Sequence, residues 1–163
     1  MKKEEILHLI SNIRKEGELK KEFLSLMVES LDLRANPFHP LVFINGHPEI
    51  GQNVSIGFFS EINAKGSKVI IGDNCDIASF VAINCADSHM RCLGIQKEIV
   101  RKPIILENNV FVGSHCVVKG GAYIGHHSVI GAGTIVDGIR IPPYSLVAGN
   151  PMKVREGYYE TQA

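Results

Sequence analysis

Aliphatic residues recur at every sixth position between Leu106 and Val136, separated by positions that are mostly polar or small. A small or slim residue also stands four places after each of the first five aliphatics. A period of six fits neither the helical period of about 3.6 residues nor the two-residue alternation of a strand. The aliphatics are Leu106, Val112, Val118, Ile124, Ile130 and Val136, and the followers are Val110, Cys116, Ala122, Ser128 and Thr134. We therefore predict a solenoid of short strands joined by corners.

The same period continues upstream, with two irregularities. It runs from Ile44 to Ile62 and shifts once by three residues before it reaches Ile83. The next step, from Ile83 to Leu106, is 23 residues, five more than three repeats of six. Three repeats make one triangular coil, so we predict about four coils with three internal aliphatic columns and an ejected loop over residues 84–102. Insertions in a regular repeat commonly carry function.

The four cysteines form no CxxC pair, and two of them stand at the small position of a repeat. These two are Cys75 and Cys116. Free cysteine is among the residue types most often buried. We interpret both as small core residues.

The first 36 residues have a helical pattern. Residues 3–15 place apolar side chains on one stripe, and Gly17 follows as a residue typical of the position beyond a helix. A second amphipathic helix is expected over residues 18–31. The predicted inward side chains are Ile6, Leu9, Ile10 and Ile13, then Leu19, Phe23, Leu26, Met27 and Ser30 or Leu31. We expect a helical cap, residues 1–36, covering the open end of a β-helix, residues 37–155, with a tail at residues 156–163.

The bulk composition fits one compact domain and disfavours some partners. The chain has 163 residues, 45% of them hydrophobic, with 17 basic and 17 acidic side chains. This balance gives no electrostatic reason to expect nucleic acid or an anionic membrane as a partner. The N-terminal residues contain no apolar run long enough for a signal peptide or a membrane span. We expect a cytoplasmic protein without membrane insertion.

Three motifs together resemble a known family. The repeat has the form aliphatic, Gly, any two residues, small, any; the ejected loop contains Ala86–His89; and the tail covers residues 141–155. Over residues 44–155 the chain resembles the hexapeptide-repeat acyltransferases, in particular the galactoside, maltose and xenobiotic acetyltransferases and the sugar acetyltransferases of surface-polysaccharide pathways. The resemblance implies a left-handed parallel β-helix, a homotrimer, and acetyl-CoA bound between neighbouring β-helices, with one active site per interface.

The ejected loop is expected to carry the catalytic base. In the family, the histidine of this loop accepts the proton of the acceptor, and here that residue is His89. An imidazole is suited to this step because its free form titrates near neutrality. Asp87 either orients the ring of His89 or caps the turn of the loop. Asn84, at the root of the loop, is a candidate for binding the substrate or the thioester.

A serine is the candidate for stabilising the thioester oxygen. The segment 112–115 resembles the part of the sugar acetyltransferases in which a serine backbone N–H faces the thioester carbonyl, a role that falls to Ser114. Losing one such donor typically costs about 3 kcal/mol. The alternative interpretation of Ser114 is a solvent-facing turn residue. We expect Ser114 to lie in the same neighbourhood as His89, because the period resumes between them.

The slot for acetyl-CoA is expected along residues 131–133, where missing side chains permit close approach, and toward the basic tail. Many relatives carry a Thr-Lys pair directly after Val136. This chain has Asp137 and Gly138 there, so Arg140 is the candidate replacement. The candidate cofactor residues are Gly113, Ser114, Gly131, Ala132, Arg140, Lys153 and Arg155.

Three further histidines raise the question of a metal, since a carbonic-anhydrase-like branch of this fold binds zinc through histidines. His115 and His127 are twelve residues apart, which places them two faces round the prism and prevents their convergence in one chain. Zinc needs three or four ligands. We expect no metal and interpret these two, with His126, as polar corner residues.

The leading hypothesis is acetyl-CoA-dependent transfer of an acetyl group to a hydroxyl or amino group of a sugar, either nucleotide-linked or otherwise activated, for surface polysaccharide. Residues 58–63 depart from the pattern with which galactoside acetyltransferases contact their sugar, so galactosides are not the expected acceptors. The sequence leaves O- and N-acetylation open. Two alternatives are a γ-carbonic-anhydrase-like metalloenzyme and a non-catalytic β-helical scaffold.

Overall fold

The computed structural model describes residues 4, 5, 8, 11, 12, 17–30, 38 and 41–161. The chain divides into two compact units, Met1–Pro40 and Leu41–Ala163. The first contains helix α1 (Gly17–Ser30), which confirms the second predicted helix. Gly17 is the first residue of α1, so its assignment beyond an earlier helix is wrong; Glu18 in the first turn suits the positive N-terminus.

The predicted inward face of α1 is largely exposed. Leu19, Phe23 and Leu26 have exposed fractions of 37%, 43% and 57%. The inward residues predicted for the earlier helix, Ile6, Leu9, Ile10 and Ile13, lie outside the described residues, as does Leu31. Within the described ranges, no helix has the length and apolar character needed to cross a bilayer.

The second unit is built from short strands that alternate among three sheets. In chain order the strands are β1 (Phe43–Asn45), β2 (Glu49–Ile50), β3 (Ser55–Ile56), β4 (Glu61–Asn63), β5 (Val69–Ile71), β6 (Asp76–Ile77), β7 (Ala82–Asn84), β8 (Ala86–Asp87), β9 (Val100–Arg101), β10 (Ile104–Leu106), β11 (Phe111–Val112), β12 (Val117–Lys119), β13 (Tyr123–Ile124), β14 (Val129–Ile130), β15 (Ile135–Val136), β16 (Arg140–Ile141), β17 (Leu146–Ala148) and β18 (Lys153–Arg155). A short helix, α2 (His89–Cys92), lies between β8 and β9.

The three sheets form the walls of a triangular prism. Sheet A has the order β1-β4-β7-β12-β15, sheet B the order β16-β13-β10-β5-β2, and sheet C the order β18-β17-β14-β11-β6-β3. Neighbouring strands are parallel, apart from β18, which is antiparallel to β17. We name the corners AB, BC and CA after the sheets that meet there. The fold class predicted from the sequence, a left-handed parallel β-helix with an N-terminal helical segment, is confirmed.

The stack is about one coil longer than predicted, since sheets A and B contain five strands each. The additional coil contains Ile141 and Val147, both fully buried. Ile141 follows Val136 by five residues instead of six. Because of this one-residue shift, a strict six-residue count does not detect the last coil.

The interior consists of the predicted columns. Val118 lies between Ile83 and Val136 in register, and all three are fully buried. The small positions are buried as well, including Cys75 and Cys116, which confirms their assignment to the core. Serines at these positions bond to neighbouring backbone: Ser60 Oγ donates to Ala78 O at 3.0 Å and accepts from Val81 N–H at 3.1 Å. The core is therefore apolar in its columns and hydrogen-bonded at its corners.

Two corners repeat a left-handed backbone at residues other than glycine. At the CA corner, Phe59, Phe80 and His115 have φ of 61°, 62° and 62°. Such values are unfavourable for bulky residues, but here the rings contact one another along the corner, Phe59 and Phe80 stacked and His115 edge-on to Phe80. Ring centroids are 5.2 Å apart for Phe59–Phe80 and 4.8 Å for Phe80–His115. The BC corner repeats the conformation at Asn53, Asn74, Asn109, His127 and Tyr144.

Candidate active site

The break in the six-residue period is a β-hairpin that leaves the AB corner. Strands β8 and β9 pair antiparallel, with Ala86 opposite Arg101, and α2 forms part of the connection. Two contacts hold the hairpin to the coils: Lys102 N–H donates to Cys85 O at 3.0 Å, and Arg101 Nε donates to Lys65 O at 2.9 Å. The hairpin thus has a fixed root at the AB corner.

Asp87 holds His89 in two ways. Its Oδ1 lies 2.5 Å from His89 Nδ1 and accepts the His89 backbone N–H at 3.1 Å. The two roles considered for Asp87, orienting the ring and capping the turn, are therefore performed by the same oxygen. The hydrogen bond from the His89 side chain is the main reason why the pKa of Asp87 lies below its usual value. With a proton on Nδ1, the lone pair of Nε2 is left for base chemistry.

Asn84 presents hydrogen-bond donors beside this pair. Its Oδ1 accepts from Asn63 Nδ2 at 3.1 Å and from Ala86 N–H at 2.9 Å. Both acceptor directions are thus used, and within the described part of the chain the NH₂ group of Asn84 donates to nothing. The amide is fixed with its donors available.

A pocket of about 330 Å³ lies between the hairpin and sheet A. It is lined by Asn84, Cys85, Ala86, Asp87, Val100, Lys102, Val117, Lys119, Gly120 and Gly138. Two predicted substrate residues, Asn84 and Asp87, therefore line one cavity. Asp87 also bonds to the His89 ring, so the candidate base lies directly beside this pocket.

Lys119 and its partner Asp137 are site residues that the sequence reading did not select. Lys119 Nζ is 2.9 Å from Asp137 Oδ1, and the hydrogen bond to Asp137 raises the pKa of Lys119. Lys119 is in register with Asn84 on β7. Each of these three residues directly follows a column aliphatic, so counting positions within successive coils would have placed Lys119 above Asn84.

Ser114 and Ala132 occupy equivalent positions of successive coils at the CA corner, because Val112 pairs with Ile130. Ser114 O accepts from Gly133 N–H at 2.9 Å. Among the described residues, the backbone N–H groups of Ser114 and Ala132 have no acceptor. The N–H of Ser79, at the equivalent position of the preceding coil, also has no acceptor there, so the corner presents a row of unpaired N–H donors of the kind that an oxyanion site requires.

The two glycines beside these donors, Gly113 and Gly131, differ in whether packing requires a glycine. A Cβ on Gly113 would lie 2.6 Å from Ala132 N, so the packing of the next coil excludes any side chain there. A Cβ on Gly131 would lie 3.4 Å from Ala148 Cβ, which is ordinary contact. Packing alone accounts for Gly113, whereas it leaves room for a side chain at Gly131.

The basic candidates are distributed over two sheets. Lys153 pairs with Ala148, the residue next to Gly131 along the CA corner, and Arg155 pairs with Leu146 further along sheet C. Arg140 instead lies on sheet B, with its guanidinium carbon 3.9 Å from the Tyr123 ring centroid. The structure thus brings Lys153 to the predicted slot and leaves Arg140 on another wall of the prism.

His89 and Ser114 belong to different corners of one chain. The hairpin leaves the AB corner after β7, whereas Ser114 precedes β12 at the CA corner. The strands of sheet A lie between these two corners.

The three histidines considered as metal ligands lie on two corners. His115 is at the CA corner, whereas His126 and His127 are at the BC corner with their Nδ1 atoms 3.0 Å apart and both rings against Tyr144. No group of three or more His, Cys, Asp or Glu side chains in the described ranges is placed to hold a metal ion.

Comparison with known proteins identifies relatives of the β-helix. Residues 103–138 match the family described as bacterial transferase hexapeptide (six repeats). The galactoside O-acetyltransferase of Escherichia coli (strain K12) is 36% identical over 110 residues, which are 64% of this chain and 54% of that protein. The chain thus spans about half the length of this relative.

Two solved structures are similar in both fold and sequence. A galactoside acetyltransferase in complex with coenzyme A has 34% identity and a TM-score of 0.53, covering 74% of this chain and 66% of the other. A maltose O-acetyltransferase from Clostridium difficile 630 has 27% identity and a TM-score of 0.56, covering 70% and 65%. The family resemblance drawn from the sequence is confirmed.

Proposed function

We propose that the chain is a hexapeptide-repeat acyltransferase that transfers an acetyl group from acetyl-CoA to a hydroxyl or amino group of a sugar. The acceptor is a nucleotide-linked or otherwise activated sugar for surface polysaccharide, acylated in the cytoplasm. The observation that carries the proposal is the His89–Asp87 pair beside a small polar pocket.

His89 is the general base of the proposed reaction. Asp87 holds Nδ1, so Nε2 takes the proton from the acceptor hydroxyl or amine as the acceptor's oxygen or nitrogen attacks the thioester carbon. When the carbon–sulfur bond breaks, His89 returns this proton to the departing sulfur. Proton transfer by a positioned base typically contributes about 10² to 10⁴ in rate.

Ser114 of a neighbouring copy supplies the oxyanion donor. Its N–H has no acceptor among the described residues of its own chain, and the same holds for Ala132 at the CA corner. Because the hairpin is at the AB corner of its own chain, the proposal requires an assembly in which one copy's hairpin approaches the next copy's CA corner. A closed homotrimer with one active site per interface satisfies this requirement.

The CA corner also offers a path for the donor. Gly131 and Ala132 form an open stretch beside the N–H donors, and the Lys153 ammonium lies beyond them, suited to a phosphate. Arg155 follows on the same strand. We keep Gly113, Ser114, Gly131, Ala132, Lys153 and Arg155 as the proposed acetyl-CoA residues; Arg140 has no place in this path.

The test is acetyl transfer by the purified protein, followed as thiol release with acetyl-CoA and a panel of neutral, amino and nucleotide-linked sugars. We expect release with at least one acceptor, and a loss of about 10² to 10⁴ in kcat/KM for His89→Ala. The control is His47→Ala, another exposed histidine, which should retain activity. No release with any acceptor, or full activity in His89→Ala, contradicts the proposal.

Matched acceptors decide between O- and N-acetylation. A sugar and its 2-amino or 4-amino derivative differ only at the attacking atom. An unprotonated amine needs less help from a base than a hydroxyl does, so a larger residual rate in His89→Ala is expected for an amino acceptor.

A further inference from the structure

We infer that the pocket between the hairpin and sheet A binds an oxyanion, a carboxylate or phosphoryl group, carried by the acceptor. The inference rests on the proposed function, because it assigns a substrate feature to the same site. It is drawn from three properties of the pocket: the donors that face it, its charge balance and its dimensions.

The donors come from two neighbouring coils of sheet A. Asn84 has its carbonyl oxygen used twice, by Asn63 and Ala86, which leaves both amide hydrogens available. Lys119, in register with Asn84, uses one of its three ammonium hydrogens on Asp137 at 2.9 Å. Adjacent amide and ammonium donors suit a group that accepts several hydrogen bonds on closely spaced oxygens.

The charges of the pocket include one lysine without an ion pair. Asp87 bonds to the His89 ring, and Asp137 is paired with Lys119. Lys102 also lines the pocket and forms no ion pair with any residue in the described ranges. A carboxylate or phosphoryl group in the pocket would pair with Lys102, whereas a neutral substituent would not.

The dimensions suit a charged group together with part of its sugar. The volume is at the low end of the range for small-molecule pockets, about 300 to 1,000 Å³. Gly120 and Gly138 form part of the wall. A sugar whose charged group lies in the pocket would therefore have the atom to be acylated near His89.

The experiment compares matched acceptors: methyl glucoside, methyl glucuronide and glucose 1-phosphate. We expect the wild type to prefer one or both of the anionic acceptors by about tenfold or more in kcat/KM, the effect of one charge-assisted hydrogen bond. Lys119→Gln and Lys102→Gln should each reduce this preference. The double variant Lys119→Gln/Asp137→Asn removes the same lysine without leaving an unpaired aspartate. The control variant is Lys97→Gln, on the hairpin outside the pocket, which should retain the preference for anionic acceptors.

Binding is measured separately, as the shift in melting temperature produced by glucuronate or glucose 1-phosphate in the absence of acetyl-CoA. If no acceptor is acylated, the proposed function fails, and this shift and its loss in the lysine variants still decide the inference. Equal use of neutral and anionic acceptors together with no shift overturns the inference. A raised KM for acetyl-CoA in the lysine variants, with unchanged acceptor preference, also overturns it by assigning both lysines to the donor.

Discussion

The coils and the hairpin of the β-helical unit are held by different means. In the coils, residues such as Ile83, Val118 and Val136 are fully buried and repeat in register. In the hairpin, none of residues 86–103 is buried. Its position depends instead on a few directed contacts, among them Arg101 with Lys65 and Lys102 with Cys85.

This difference separates stability from chemistry. The coils supply a rigid frame because column residues of the inner coils, such as Val118, are packed between equivalent residues of the coils above and below. The hairpin buries few side chains. It places the candidate base at the AB corner, where the other coils have only short turns. Substitutions in the two regions should therefore affect different measurements.

The largest effect is expected from truncation in a column. Ile83→Ala should lower the free energy of unfolding by about 2 to 5 kcal/mol, because it leaves a cavity between packed coils. Leu93→Ala, at a hairpin side chain with an exposed fraction of 68%, should change it by about 0.5 kcal/mol or less. Urea unfolding followed by circular dichroism measures both. Similar losses of unfolding free energy in the two variants would contradict the conclusion that the coils, and not the hairpin, determine stability.

A smaller effect, on activity rather than stability, is expected from the hairpin's anchor. Arg101→Ala removes the hydrogen bond to Lys65 O and should lower kcat about tenfold, because misplacing a catalytic group slows the reaction. The melting temperature should change little. Arg91→Ala, at an exposed arginine of α2, is the matched control and should keep its kcat. Wild-type kcat in Arg101→Ala would show that the hairpin needs no such anchor.

The smallest effect is expected on the pH dependence of stability, for which Glu107 in the coils is compared with Asp87 in the hairpin. Glu107 accepts from the Tyr123 hydroxyl, which lowers the pKa of Glu107, and from His126 N–H at 2.8 Å. A lowered pKa in the folded state stabilises the protein above the ordinary glutamate pKa of about 4.3, and this contribution is lost as pH falls through the lowered value. Glu107→Gln should therefore cost about 1 kcal/mol at pH 7, with the difference from wild type disappearing in acid.

Asp87 on the hairpin is the matched carboxylate. Its pKa is lowered in the same direction by His89, but it is exposed, so solvent screens the pair. Asp87→Asn should leave the pH dependence of the melting temperature close to that of wild type while it reduces kcat. A loss of acid-linked stability in Asp87→Asn as large as that in Glu107→Gln would contradict the comparison.

Periodicity predicted the coils well because a buried column imposes the same requirement on every repeat. It placed the aliphatic and small core positions and the start of the ejected loop. It missed the coil containing Ile141 and Val147, because a one-residue shift is tolerated at a corner but interrupts a strict count. Lys119 was also missed, because its position in the repeat places it above Asn84 but does not show that it belongs to a functional site.

The sequence by itself determined the prism, its columns and the position of the hairpin, because repeated burial at a fixed spacing permits few other arrangements. Only the tertiary structure decided which side chains meet: Asp87 with His89, Lys119 with Asp137 and Arg140 with Tyr123. It also decided that His89 and Ser114 stand at different corners of one chain. Such contacts between side chains depend on the register between coils and on the conformation of each corner. The spacing of residues within one repeat determines neither.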